Sequence, residues 1–266
     1  MTIISLSPAD LSLAAMLLIA LAALSVRMKL GLAWQIIIAG LRTTVQLSLI
    51  GFVLKVIFAH AHIGWVALIA CMMLMVAGRE VMRRQKRRFR GWWGFGVGTI
   101  SMSVSSFSIT LIALTLIISV KPWYTPQYAI PLLGMLLGNT MTGIAIGLDR
   151  MTQAAWDQRN VIETRLMLGQ DWNQAIRDIR TESIRSGLIP IINSMSVAGL
   201  VSLPGMMTGQ ILAGNPPAEA VKYQILIMFL IAGGTGFGTS IAIWLGARRL
   251  SDERQRLCLD RLKNTG

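Results

Sequence analysis

Acidic side chains are scarce in this sequence, 12 against 25 Lys and Arg, and there are only two His and two Cys. So few acids and histidines leave no His–carboxylate pair inside any apolar stretch, which argues against an enzyme. Cys71 lies in an apolar run and Cys258 in a charged tail, so no disulfide framework is expected. None of the lysines (29, 55, 86, 121, 222 and 263) follows a glycine, which excludes the G-x-x-x-x-G-K-[ST] phosphate loop. "GFGVG" at 94–98 and "GGTGFG" at 233–238 have no strand before them and read as helix packing. The only histidines, His60 and His62, form a His-x-His in a short loop; a metal pair or two solvated side chains both fit.

What the chain has is apolar residues: 54% are hydrophobic and 14% charged. That is too apolar for a soluble domain. Runs of about 18 to 27 residues can cross a hydrocarbon core of about 30 Å as helices. The reading is an all-α polytopic bundle, one permease-like domain over 1–266, with seven spans at about 9–26, 32–58, 63–82, 93–120, 129–148, 187–214 and 220–246. The net charge of +13 does not point to nucleic acid, because the basic residues cluster at the ends of the apolar runs. They crowd the loops after spans one, three and five and the C-terminal tail. The N-terminus is therefore expected outside and the C-terminus in the cytoplasm.

The loop 149–186 is too polar to span. Ala155, Val161, Ile162, Leu166 and Leu168 recur at helical spacing, Gly169 and Gln170 break the pattern, and Asp171 can cap a new helix. Two amphipathic cytoplasmic helices are expected. Gly94/Gly98, Gly134/Gly138, Gly143/Gly147, Gly205/Gly209 and Gly234/Gly238 have the small-xxx-small spacing that lets helix backbones approach in lipid. The span Ser and Thr residues are expected to bond between helices. Intramembrane polar residues are costly unless partnered, so Arg42 and Gln46 on one face of span two, Asn139 and Asn193 are candidates for a substrate path or gate. Ser202, Pro204, Gly205 and Gln210 of span six join them. Met135, Met141, Met206 and Met207 do so as well, either as packing or as soft ligands. Pro204 is expected to break its span one turn earlier, near Leu200.

"GLVSLPGMMTGQILAG" at 199–214, "VKYQI" at 221–225, "LGNTM" at 137–141 and "SIRSGLIPIINS" at 183–194 resemble the iron-export permease family of ABC transporters, FetB type, to which plant aluminium-sensitivity permeases are related. The likeness covers nearly the whole chain. It implies a multi-pass subunit of a bacterial inner (plasma) membrane that binds no cofactor itself. A separate ABC ATPase subunit would hold ATP and Mg, and two permease copies would form a homodimer in membrane lipid. The resemblance gives loop 149–186 a coupling role. In the E-A-A-x-x-x-G pattern, Glu163 and Gly169 have the right spacing, with Leu168 between them and Ile179 ten residues on; Thr164 and Arg165 replace the alanines, and the later Leu-Pro is absent. Iron as cargo is carried by the resemblance, and no residue cluster specifies a metal site. A sugar nucleotide or lipid-like cargo, or a non-transporting membrane scaffold or sensor, are the alternatives.

Overall fold

The structure is a computed structural model that describes residues 7–59 and 62–264. His60 lies outside them. An apolar segment in lipid must satisfy its backbone groups internally, and the long runs accordingly form helices. Six of these are long and apolar enough to cross a membrane.

The described residues form two compact units. The first pairs α1 (Pro8–Arg27) with α2 (Ala33–Ala59). Ser7 caps α1 in a capping box: its hydroxyl oxygen accepts from the Asp10 N–H at 3.3 Å, and the Asp10 carboxylate accepts from the Ser7 N–H at 2.8 Å. Both helices expose large aliphatic side chains over most of their circumference, as a lipid-facing pair does.

The second unit holds the core. It begins with α3 (Ile63–Arg83) and the short strand β1 (Arg87–Phe89). One long span then runs from Trp92 to Ile117: α4 (Trp92–Met102), a π-helical turn Ser103–Phe107, α5 (Ser108–Ile112) and a second π turn Ala113–Ile117. Next come α6 (Pro126–Asp157), α7 (Arg159–Met167), α8 (Trp172–Ala175), α9 (Arg177–Val197), α10 (Gly205–Leu212) and α11 (Pro217–Arg249). The last element among the described residues is β2 (Leu262–Asn264), antiparallel to β1. This two-stranded ribbon was not expected of an all-α chain. Leu136, Ile144, Leu148, Met151 and Ile243 are fully buried where α6 meets α11.

The glycine pattern explains how closely these helices pack. A Cβ on Gly143 would sit 2.6 Å from Thr235 Cγ2, and one on Gly187 would sit 2.6 Å from the Gly143 carbonyl oxygen. α6 and α9 therefore meet backbone to backbone, and α11 closes on them through the Thr235 and Thr239 side chains. Gly205 and Gly209 differ from the packed pairs, since nothing lies within 4 Å of a Cβ at either. Most span hydroxyls also depart from expectation. Ser101, Ser105 and Thr110 donate to carbonyls four residues earlier on their own helix, at 2.7, 2.8 and 2.7 Å. Among the described residues, Ser106 alone has a span hydroxyl that reaches across, to Thr140 at 3.4 Å. Such back-bonding competes with the regular ladder, and here it accompanies the π turns.

The segment 187–214 is not one helix. It does not meet the length and apolarity of the other six; α9 stops at Val197, and 198–204 form a tight non-helical turn before α10. The break starts earlier than Pro204 implies. Gly199 takes φ +82° and donates to the Ser202 carbonyl at 2.9 Å, while the Val197 carbonyl accepts from Val201 at 3.0 Å. Pro204 instead precedes α10, where its carbonyl accepts from Thr208.

Candidate functional site

Two features stand out at opposite ends of α6. The first is a cavity of about 590 Å³. The beginning of α6 gives it Gln127, Tyr128, Pro131 and Met135, α10 gives Met206 and Gln210, and the start of α11 gives Glu219 and Tyr223. The spacing of four on each helix puts these side chains on one face. Pro131 has no N–H, which releases the Gln127 carbonyl from the helix ladder beside the cavity. The Gln210 Oε1 is buried and accepts no hydrogen bond. Glu219 stands at the rim, 2.7 Å from Lys222 Nζ. A carboxylate, amides, phenols and two thioethers thus face one space, a donor set that can receive a partly dehydrated cation or a polar solute. Among the described residues no cluster of three or more His, Cys, Asp or Glu forms a fixed metal site.

Met135, Met206 and Gln210 are the path candidates that the fold unites. Asn139 continues the Met135 face, where its amide donates to the Met135 carbonyl at 2.9 Å. Met141 packs half-buried against the core. Asn193 and Ser202 are exposed and do not line the cavity, and Arg42 and Gln46 are exposed on α2 in the other unit. Pro204 and Met207 face a second, smaller cavity, and Gly205 is exposed at the start of α10. Sequence reasoning missed Gln127, Tyr128, Glu219 and Tyr223. Their signal was the four-residue spacing from Glu219 to Tyr223 to Ile227, hidden because Glu219 precedes the apolar run.

The second feature is a platform at the far end of α6. Lys86 donates its backbone N–H to Asp149 at 2.8 Å, and Arg87 stacks over the Trp156 ring at 4.1 Å. Trp172, 7% exposed, donates its indole N–H to the Ala247 carbonyl at 3.1 Å, and its backbone N–H to Gln255 at 2.8 Å. Arg261 caps the end of α11 by donating to the carbonyls of Arg249 and Ser251, both at 2.8 Å. Asp252 braces the tail by accepting the backbone N–H groups of Arg256 and Arg254; the Arg256 N–H does most to hold its carboxyl below the ordinary aspartate range.

This platform carries the α7–α8 turn. Gly169, at φ +88°, donates to the Leu166 carbonyl at 3.0 Å, and Gln170 donates to that of Arg165 at 3.1 Å. This is a Schellman closure, which a glycine at that position permits. Asp171 caps α8 by accepting from Gln174 at 2.7 Å. The expected apolar stripe divides in two. Ile162 and Ala155 are buried, whereas Val161 and Leu168 are exposed; Met167, outside the expected stripe, stands beside Leu168, and these two are 79% and 78% exposed. Glu163 and Gly169 are exposed beside them; Ile179 is buried in the core and anchors the turn.

Comparison with known proteins agrees with this architecture. Residues 8–251 match the model of the family described as Uncharacterised protein family (UPF0014). A UPF0014 membrane protein of Synechocystis is 44% identical over 207 residues, covering 76% of this chain and 77% of the relative. The Escherichia coli protein named "Probable iron export permease protein FetB" is 34% identical over 254 residues, 96% of each chain. The Arabidopsis thaliana protein named "Protein ALUMINUM SENSITIVE 3" is 35% identical over 222 residues, 84% of this chain and 79% of the relative. No solved structure matches the chain. With six apolar spans and these relatives, the chain is a multi-pass membrane protein belonging to the UPF0014 family.

Proposed function

We propose that the chain is the membrane permease subunit of an ABC transporter that exports a metal ion, iron, with ATP hydrolysed on a separate ATPase subunit. The carrying observation is the α7–α8 turn: two exposed apolar side chains, Met167 and Leu168, on a rigidly braced helix end. An apolar knob of this kind fits a cleft on a soluble partner. Its roots support transmission. α7 follows directly on α6, and α8 leads directly into α9. A push on the turn therefore tilts both helices, and α9 leads through the 198–204 break to α10. Closure of ATP sites on the partner would bias the bundle between two states through this connection.

The outer cavity is the proposed end of the path, with Gln127, Met135, Met206, Gln210 and Glu219 facing the cargo. Iron prefers oxygen and nitrogen donors, and the carboxylate, amides and phenols there suit it better than the thioethers do. Two copies of the chain with two ATPase copies, in a bacterial inner membrane with the N-terminus outside, complete the reading. The name of the Escherichia coli relative supports iron and the export direction.

The test is co-expression with the candidate ATPase. The paired substitution Met167→Asp/Leu168→Asp is expected to abolish ATPase association and ATP-dependent Fe(II) movement into inverted vesicles. Both side chains lie in solvent, so the isolated chain should keep its melting temperature. Retained association, or no ATP-dependent iron movement by the unaltered pair, refutes the proposal.

A further inference from the structure

The 198–204 break borders a second, half-open cavity against α11, of about 510 Å³. Three methionines line it, each from a different element: Met195 from the end of α9, Met207 from α10 and Met228 from α11. Gln224 also lines it, 8% exposed, with its Oε1 buried and accepting no hydrogen bond. No Asp, Glu, His or Cys takes part.

Methionines alone would read as gap filling. The unsatisfied amide oxygen is a different matter, because a buried acceptor without a partner is a standing cost that a bound group would relieve. The donor set limits which group that is. Thioethers select soft d10 cations such as Cu(I) over Fe(II), Zn(II) or Mg(II). All donors here are neutral, and the walls are otherwise apolar. A monovalent ion with weak hydration enters such a place far more readily than a divalent one, whose desolvation cost is much larger.

We infer that this cavity is a thioether site for a soft monovalent cation, Cu(I) or Ag(I), formed by Met195, Met207 and Met228 with the Gln224 amide oxygen. The ion ties the end of α9 to α10 and α11, so its binding stiffens the 198–204 break. The site is separate from the oxygen-rich outer cavity, although neighbouring residues of α10, Met206 and Met207, serve the two.

Binding is measured on the purified chain in detergent, in a Cys71→Ser/Cys258→Ser background that removes both thiols. The probe is Cu(I), titrated anaerobically against a chromophoric chelator, with Ag(I) as the redox-inert check. One Cu(I) per chain is expected. Met207→Leu and Met228→Leu should each weaken it by about tenfold or more, no less than the loss seen when an outer partner of a metal ligand is removed. The double variant should abolish it, and Gln224→Leu should weaken it less. Zn(II) should not compete. Leucine replaces methionine at nearly constant volume, so unchanged melting temperatures serve as the folding control. No stoichiometric Cu(I) binding, or binding that survives the double variant, overturns the assignment. Neither result bears on ATP-driven iron transport, which is read separately.

Discussion

Single glycines decide how closely this bundle can pack, and they differ sharply in what they tolerate. A Cβ on Gly187 would meet the Gly143 carbonyl oxygen at 2.6 Å and Thr239 Cγ2 at 2.8 Å, with backbone on one side and a β-branched side chain on the other. Neither can swing away. Gly187→Ala is therefore expected to destabilise the chain by about 1–3 kcal/mol, the usual cost of overpacking. Gly209→Ala meets nothing within 4 Å and lies inside α10, so it should be neutral or stabilise by up to about 1 kcal/mol. Thermal unfolding of the two variants in the same detergent separates them, and equal melting temperatures would refute the packing account. The small-xxx-small pattern identified Gly143/Gly147 and Gly234/Gly238 correctly because tight contact needs a small residue on every turn. At Gly205/Gly209 no neighbouring group of the same chain lies within 4 Å of a Cβ, so within the single chain the spacing has no packing partner there. The cavity residues were harder still: Glu219 looks like loop chemistry until α11 is seen to begin at Pro217 and carry it against Tyr128 and Met206.

At the scale of elements, the long apolar runs were legible because nothing but a helix satisfies their backbone in lipid. The broken segment was less so. Pro204 drew attention to itself, yet the helix ends at Val197, where Gly199 supplies the left-handed turn and local bonds absorb the freed carbonyls. The loop 149–186 holds the two helices its spacing predicts, broken at Gly169–Gln170 and recapped at Asp171, but both are short: α6 extends to Asp157 and α9 begins at Arg177, so α7 and α8 occupy only the middle of it. The stiffness of that turn depends on Arg165, which donates to the Ala175 carbonyl at 3.0 Å and to Asp178 at 2.9 Å. Asp178 is mostly solvent-exposed, so the ion pair adds little and the carbonyl bond dominates. Arg165→Ala should release about 1 kcal/mol of local stability. Amide exchange across α7 should then quicken about fivefold, while the bundle's melting temperature holds. Unchanged exchange would mean that the turn is braced by Ile162 and Trp172 alone.

For the whole molecule, the number of crossings turns on the broken segment. Trp172, just before α9, is bonded to Ala247 at the end of α11 and to Gln255 beyond it. Asn215, just after α10, lines the outer cavity with residues at the start of α11. α11 has 33 residues, and at about 1.5 Å per residue its ends lie about 50 Å apart. The chain between Trp172 and Asn215 must therefore travel from one end of α11 to the other. As a proposed crossing it lacks the length and hydropathy of an ordinary span; α9 and α10 share the distance between them, and the turn at 198–204 bonds to itself. On the proposed reading, six continuous spans and this discontinuous one would make an odd number of crossings, the number that the Arg and Lys distribution asks of a chain with its termini on opposite faces. Thiol labelling tests this in a Cys71→Ser/Cys258→Ser background. Asn215→Cys should react with an impermeant maleimide only from outside the cell, and Gln170→Cys only in inverted vesicles. Labelling of both from the same face would remove the seventh crossing. It would also place the α7–α8 turn and the outer cavity on one side of the membrane, and so separate the proposed ATPase contact from any role in moving cargo across it.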